Sequence, residues 1–101
     1  MKQILTVTIL SLVLAISICH AQSGGKDAFI NKCGACHKID SEASPVNPGD
    51  KAAVVWKKYF KRRRHPVDLS SITADDMANI IQYLRDHAAD SEQPESAVIP
   101  N

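Results

Sequence analysis

Three segments of the chain carry apolar residues at helical spacing, separated by polar, proline-bearing stretches. From Lys26 to Cys36, Phe29 and Cys33 fall one turn apart on one face, and Ser23, in the small polar lead Gln22 to Gly25, is the candidate N-cap. In the second segment Ala52, Val55, Trp56, Tyr59 and Phe60 recur at i, i+3, i+4, i+7 and i+8, while Lys51, Lys57, Lys58 and Lys61 lie off that stripe. This pattern predicts a helix capped by Asp50. In the third, Thr73-Ala74-Asp75-Asp76 is a capping-box variant with Asp at its last position, and Met77, Ile80, Ile81, Leu84 and Ala88 keep the helical period to about Ala89. Lys38 to Gly49, with Pro45 and Pro48, and Arg62 to Ser71, interrupted by Pro66, read as loops. No strand pattern, repeat or nucleic-acid motif is present, so the expected class is all-α.

The two ends differ from this middle. Met1-Lys2-Gln3 precedes a stretch free of charge from Ile4 to Ile18, followed by Cys19-His20-Ala21. A basic start, an apolar middle and a small-residue exit predict a secretory signal peptide over 1–21, cleaved after Ala21, with export to a bacterial periplasm. The apolar run is short for a membrane span of about 20 residues. A lipid anchor on Cys19 is the competing reading, weakened by Ile18 standing where such a signal carries a small residue. Residues 22–90 then form one domain. The remainder, 91–101, is a polar tail with Val98 and Ile99 near its end, which is either loose or laid on the domain. With Lys2 set aside, 11 basic side chains balance 11 acidic ones, but unevenly. Lys57, Lys58, Lys61, Arg62, Arg63 and Arg64 form a dense basic run, whereas six acids from Asp75 onward face Arg85. The molecule should carry a dipole.

Cys33-Gly34-Ala35-Cys36-His37 changes the picture most, because it has the spacing of covalent c-type haem attachment. Two thiolates add to the vinyl groups of a haem edge to form thioethers. The short turn holds both sulfurs at that span, and His37 becomes the proximal iron ligand. A redox dithiol wants a βαβ context and a four-thiolate zinc site wants a second CxxC pair; neither pattern occurs here.

The open iron position has three candidates in His65, His87 and Met77. Met77 has the thioether that raises the potential of many such centres. It is also the fourth helical position after Thr73, where it pairs with Ile72 as a hydrophobic staple, so packing accounts for it. His87 falls on the flank of the last apolar stripe and is expected at the surface. His65 lies in a loop, and Pro66 biases its backbone toward an extended form. It is the expected distal ligand, with Met77 the alternative and a solvated histidine at the end of the basic run the plain reading.

Over nearly its whole length after Ala21 the chain resembles the class I c-type cytochromes. Gly25 with Phe29 is similar to that family's first-helix Gly-xxx-Phe, and Tyr83-Leu84 to its aromatic partner on the last helix. Cys36-His37-Lys38-Ile39-Asp40 resembles the segment after attachment in small bacterial members. The resemblance gives Pro45, or failing it Pro48, the part of the loop proline whose carbonyl accepts the proximal imidazole N–H. It also puts His65, eight residues before Thr73, where the family carries its distal methionine. The implied fold is a small cytochrome c-like one, about three main helices wrapped around one covalently bound haem c. The implied function is a soluble electron carrier rather than an enzyme, of low potential because two imidazoles replace imidazole plus thioether. Acidic redox proteins would dock near Lys57, Lys58, Lys61, Arg62, Arg63 and Arg64. A haem-based gas sensor or weak peroxidase with a labile distal ligand is the alternative, and it lacks evident polar catalytic partners. A dithiol oxidoreductase is the third.

Overall fold

A computed structural model describes residues 23–100; the predicted signal segment and its cleavage point lie outside them. The described residues form three α-helices, α1 (Ser23–Ala28), α2 (Ala53–Lys61) and α3 (Ala74–Asp86), and no strand. A π-helical turn, Phe29–Cys33, continues α1, and a 3-10 turn, Pro48–Asp50, precedes α2. The all-α expectation holds at this level. Among the described residues no helix is long and apolar enough to cross a membrane.

α3 is the spine on which α1, α2 and the 3-10 turn pack. It contributes Ile80, Tyr83 and Leu84 to a core completed by Ala88, by Phe29 and by Trp56. Its start matches the sequence pattern, with Thr73 Oγ1 accepting from the Asp76 amide at 3.1 Å. The helix ends at Asp86, with His87 N–H still donating to Tyr83 O at 3.2 Å, earlier than the apolar period suggested, although Ala88 is still fully buried. α1 crosses α3 at Gly25, where a Cβ would stand 2.5 Å from the Asn79 carbonyl oxygen and 2.9 Å from Tyr83 Cβ. Only a residue without a side chain lets the two backbones approach this closely. One turn later the Phe29 and Tyr83 rings meet with centroids 5.7 Å apart.

α1 begins at Ser23 and its continuation ends at Cys33, three residues before the predicted Cys36. The Gly34 amide donates to both Phe29 O at 3.3 Å and Ile30 O at 3.1 Å, so the ladder widens before the chain turns away.

α2 departs from expectation in two ways. Asp50 does not cap it: the Asp50 carboxylate accepts from the Asn47 amide at 2.8 Å and closes a capping box around the 3-10 turn. The N-cap position of α2 is Ala52, and the exposed first donor, Ala53 N–H, is taken by Asp90 Oδ1 at 2.9 Å from beyond α3. The buried stripe is also narrower than predicted. Trp56 is buried, with its indole N–H donating to Pro48 O at 2.8 Å, and Ala53 and Phe60 pack beside it, but Val55 is 44% exposed. α2 rests on α3 along a single line, so residues on the flank of its apolar arc face solvent. The helix closes with Arg63 N–H on Phe60 O and Arg64 N–H on Tyr59 O, a Schellman turn with Arg63 in the left-handed region at φ 52°.

The tail lies on the domain. Glu95 O accepts from the Gly49 amide at 2.9 Å, the Val98 amide donates to Asn47 Oδ1 at 3.2 Å, and Val98 and Ile99 pack against the core. The Glu95 carboxylate accepts from the Tyr83 hydroxyl and pairs with Lys26 at 3.5 Å and His87 at 3.4 Å. His87, expected at the surface, is half-buried instead, because α3 ends under the returning tail and its ring packs 5.0 Å from Tyr83.

Candidate functional site

The turn after the π-helical segment presents the Cys-His motif. Cys36 N–H and His37 N–H both donate to Cys33 O, at 3.2 and 3.0 Å, and Ala43 N–H returns to Cys36 O at 2.9 Å. Both thiols are free, in unlike surroundings. Cys33 packs against the core, and burial, with Cys36 adding to it, pushes its thiol up to about 11. Cys36 is exposed, with Sγ 3.7 Å from a Glu42 carboxylate oxygen.

His37 is half-buried and its Nδ1 lies 2.7 Å from the Ser44 carbonyl oxygen. This corrects the assignment to Pro45 or Pro48: the acceptor is the residue before Pro45. The proline holds Ser44 in an extended conformation and so aims that carbonyl. A carbonyl can only accept, so Nδ1 carries a proton, and in the neutral ring the lone pair is on Nε2. His65 repeats the arrangement, with Nδ1 2.9 Å from Val67 O.

The loop after α2 brings His65 to His37, with ring centroids 6.1 Å apart and planes inclined by 67°. The two rings meet edge-on, each with its Nδ1 already engaged by a carbonyl. Among the described residues no group of three or more His, Cys, Asp or Glu side chains converges as a metal site. A haem iron asks for only two protein ligands, since the porphyrin supplies the other four, so the donor set fits haem better than a bare ion.

Comparison with family models, curated proteins and solved structures returned no match.

The remaining candidates stand elsewhere. His87 is engaged by Gln93 O at 2.8 Å and by Glu95, and it borders a cavity of about 340 Å³ with Gly25 and Tyr83. Met77 and His65 share the wall of a larger cavity, about 810 Å³, between α2, the following loop and α3; Cys33, Cys36 and His37 are not part of that wall. Ile72, the predicted staple partner of Met77, packs against the core. Sequence reasoning missed Ser44, Val67 and Arg85. The first was signalled by the proline that follows it; nothing local marks the other two.

Proposed function

We propose that this chain is a soluble monohaem c-type cytochrome carrying single electrons between redox partners. Cys33 and Cys36 are its covalent anchors, and His37 and His65 its axial ligands. The observation that carries this reading is the 6.1 Å separation of two imidazoles from distant parts of the chain, one of them directly after the paired cysteines. When bound, the haem would supply one iron that changes oxidation state by a single electron. The residues act by position. Ser44 and Val67 fix the imidazole tautomers, and the α1–α3 crossing with its π-helical extension fixes the turn that bears both sulfurs. The Schellman end of α2 sets the direction from which His65 approaches. Two imidazoles make the centre low in potential relative to one with a thioether ligand.

Lys57, Lys58, Lys61, Arg62, Arg63 and Arg64 are all exposed, and Lys57, Lys61 and Arg63 share a cavity wall with His65, which supports docking of an acidic partner on this flank. Electron-transfer rates should then fall steeply with added salt, and a flat response would remove the docking claim.

The test is expression in a host equipped for cytochrome maturation, followed by acid denaturation and ferric spectroscopy. Pigment should stay with the chain. Wild type and Met77→Ala should be low spin, and His65→Ala should lose that signal. Pigment that washes off in acid would defeat the proposal. Loss of the low-spin signal in Met77→Ala alone would move ligation to the thioether. The reduced protein should refuse carbon monoxide, and rapid binding would favour the gas sensor or weak peroxidase instead.

A further inference from the structure

The 810 Å³ cavity carries more positive charge than its own residues neutralise. Lys57, Lys61, Arg63 and Arg85 all contribute to its wall. The one carboxylate there, Asp68, is engaged with Ser70, accepting from the amide and from the hydroxyl at 2.9 Å each. None of the four cations makes an ion pair among the described residues. Phe60, Met77 and Ile81 supply an apolar part of the same wall.

Arg85 is the most telling member. It comes from the last turn of α3, is half-buried, and its Nε is shielded from solvent without a hydrogen-bond partner. Buried polar groups are nearly always paired, and a guanidinium offers Nε–H and Nη–H as a fork that matches the two oxygens of a carboxylate. Lysine cannot reproduce that fork. The nearby phenyl, thioether and alkyl surfaces suit a ligand whose acid group sits on a hydrocarbon body.

We propose that the cavity between α2 and α3 binds a carboxylate carried on an apolar body, gripped by Arg85 and attracted by Lys57, Lys61 and Arg63. Two sources share this chemistry. One is a free organic acid; the other is an acid arm of a group attached at Cys33 and Cys36, which would reach the cavity past His65. Because His65 is part of the cavity wall, the proposal rests on the ligation proposed above, and the test is made on the pigmented chain.

The experiment follows the Arg85 Nε–H resonance of the full chain, assigned by its absence in Arg85→Gln and Arg85→Lys, during titration with octanoate and, as a control, 1-octanol. A saturable shift of that resonance with octanoate but not octanol, together with octanoate affinity by isothermal titration calorimetry that falls about tenfold or more in both variants, supports the free-acid source. Lys61→Gln, an exposed change that spares the fold, should weaken octanoate binding a few-fold and flatten its salt dependence. The internal source is supported if octanoate has no effect, the Nε–H already resonates as hydrogen-bonded, and Arg85→Gln moves the pH dependence of the reduction potential. Octanoate binding that is equal in wild type and Arg85→Gln overturns the proposal. So does an Nε–H that responds to no acid and whose loss leaves the potential profile unchanged.

Discussion

Alanine at two adjacent glycines should change stability in opposite directions. At Gly25 the added Cβ would lie 2.5 Å from a main-chain oxygen of α3, about 0.9 Å inside the 3.4 Å at which ordinary contact begins, and 2.9 Å from Tyr83 Cβ. Neither neighbour is the far end of a flexible side chain, so α1 must move off α3, which loosens the Phe29–Tyr83 contact as well. Overpacking of this kind costs about 1–3 kcal/mol, and the aromatic pair adds about 0.5–1.5 kcal/mol to what is at risk. Against this, alanine gains about 1 kcal/mol over glycine in a helix interior, less near an end. The net is a loss of roughly 0.5–3.5 kcal/mol, or about 2–28 °C in Tm for a domain of this size. At Gly24 a Cβ meets nothing within 4 Å, so only the helix preference remains and Tm should hold or rise by a few degrees. Thermal unfolding followed by far-UV circular dichroism decides the matter. A Gly25→Ala protein that melts at or above wild type would refute the close-crossing argument.

Asp90→Ala should remove the tertiary cap of α2 and cost about 1 kcal/mol, with Asp90→Asn recovering most of it, read as denaturant midpoints. Arg63→Gly should leave Tm unchanged or raise it by a few degrees. The left-handed conformation costs a side-chain-bearing residue about 1–2 kcal/mol, while glycine gives back about 0.5–1 kcal/mol in backbone entropy; a clear fall in Tm would contradict this. The Tyr83 hydroxyl, then His87 and Lys26, hold the Glu95 carboxyl below its ordinary range. Its stabilisation is therefore complete above that range and lost as pH falls through the lowered value, so Glu95→Gln should flatten the acid side of a stability–pH curve. Tyr83 is shifted the other way, raised by burial and then by Glu95. Its contribution is present below the ordinary phenol value of 10 and lost as pH rises through the raised one, so Tyr83→Phe should flatten the alkaline side.

What could be read from the chain was local. Thr73 and the spacing of Ile80, Leu84 and Ala88 mark α3 because cap and period lie within one segment. The close approach of α1 to α3 at Gly25 was implied only by the resemblance of Gly25-xxx-Phe29 to a first-helix pattern. The cap of α2 was out of reach for the opposite reason: Asp90 arrives from 37 residues away, while Asp50, adjacent in sequence, serves a different turn. Val55 shows a related limit, since a period gives the direction of a helix face and not the width of what covers it. At the candidate site, Cys33, Cys36 and His37 could be read because they stand together in sequence. That the loop after α2 carries His65 to His37 is a tertiary fact which hydrophobic patterning does not encode. Arg85 reads as one more polar residue on α3 until the cavity beside it is seen.

The dependence of α1 on α3 also imposes an order in time. Chains are made N-terminus first, so Phe29 exists well before Tyr83, more than fifty residues downstream, and Gly49 well before Glu95. Until those late residues emerge, the segment bearing Cys33 and Cys36 has nothing to close against, and Cys33 lacks the core that covers it in the fold. Once closure occurs, burial pushes the Cys33 thiol up to about 11. Speeding the final folding step should therefore shorten the interval before Cys33 is covered, and slowing it should lengthen that interval.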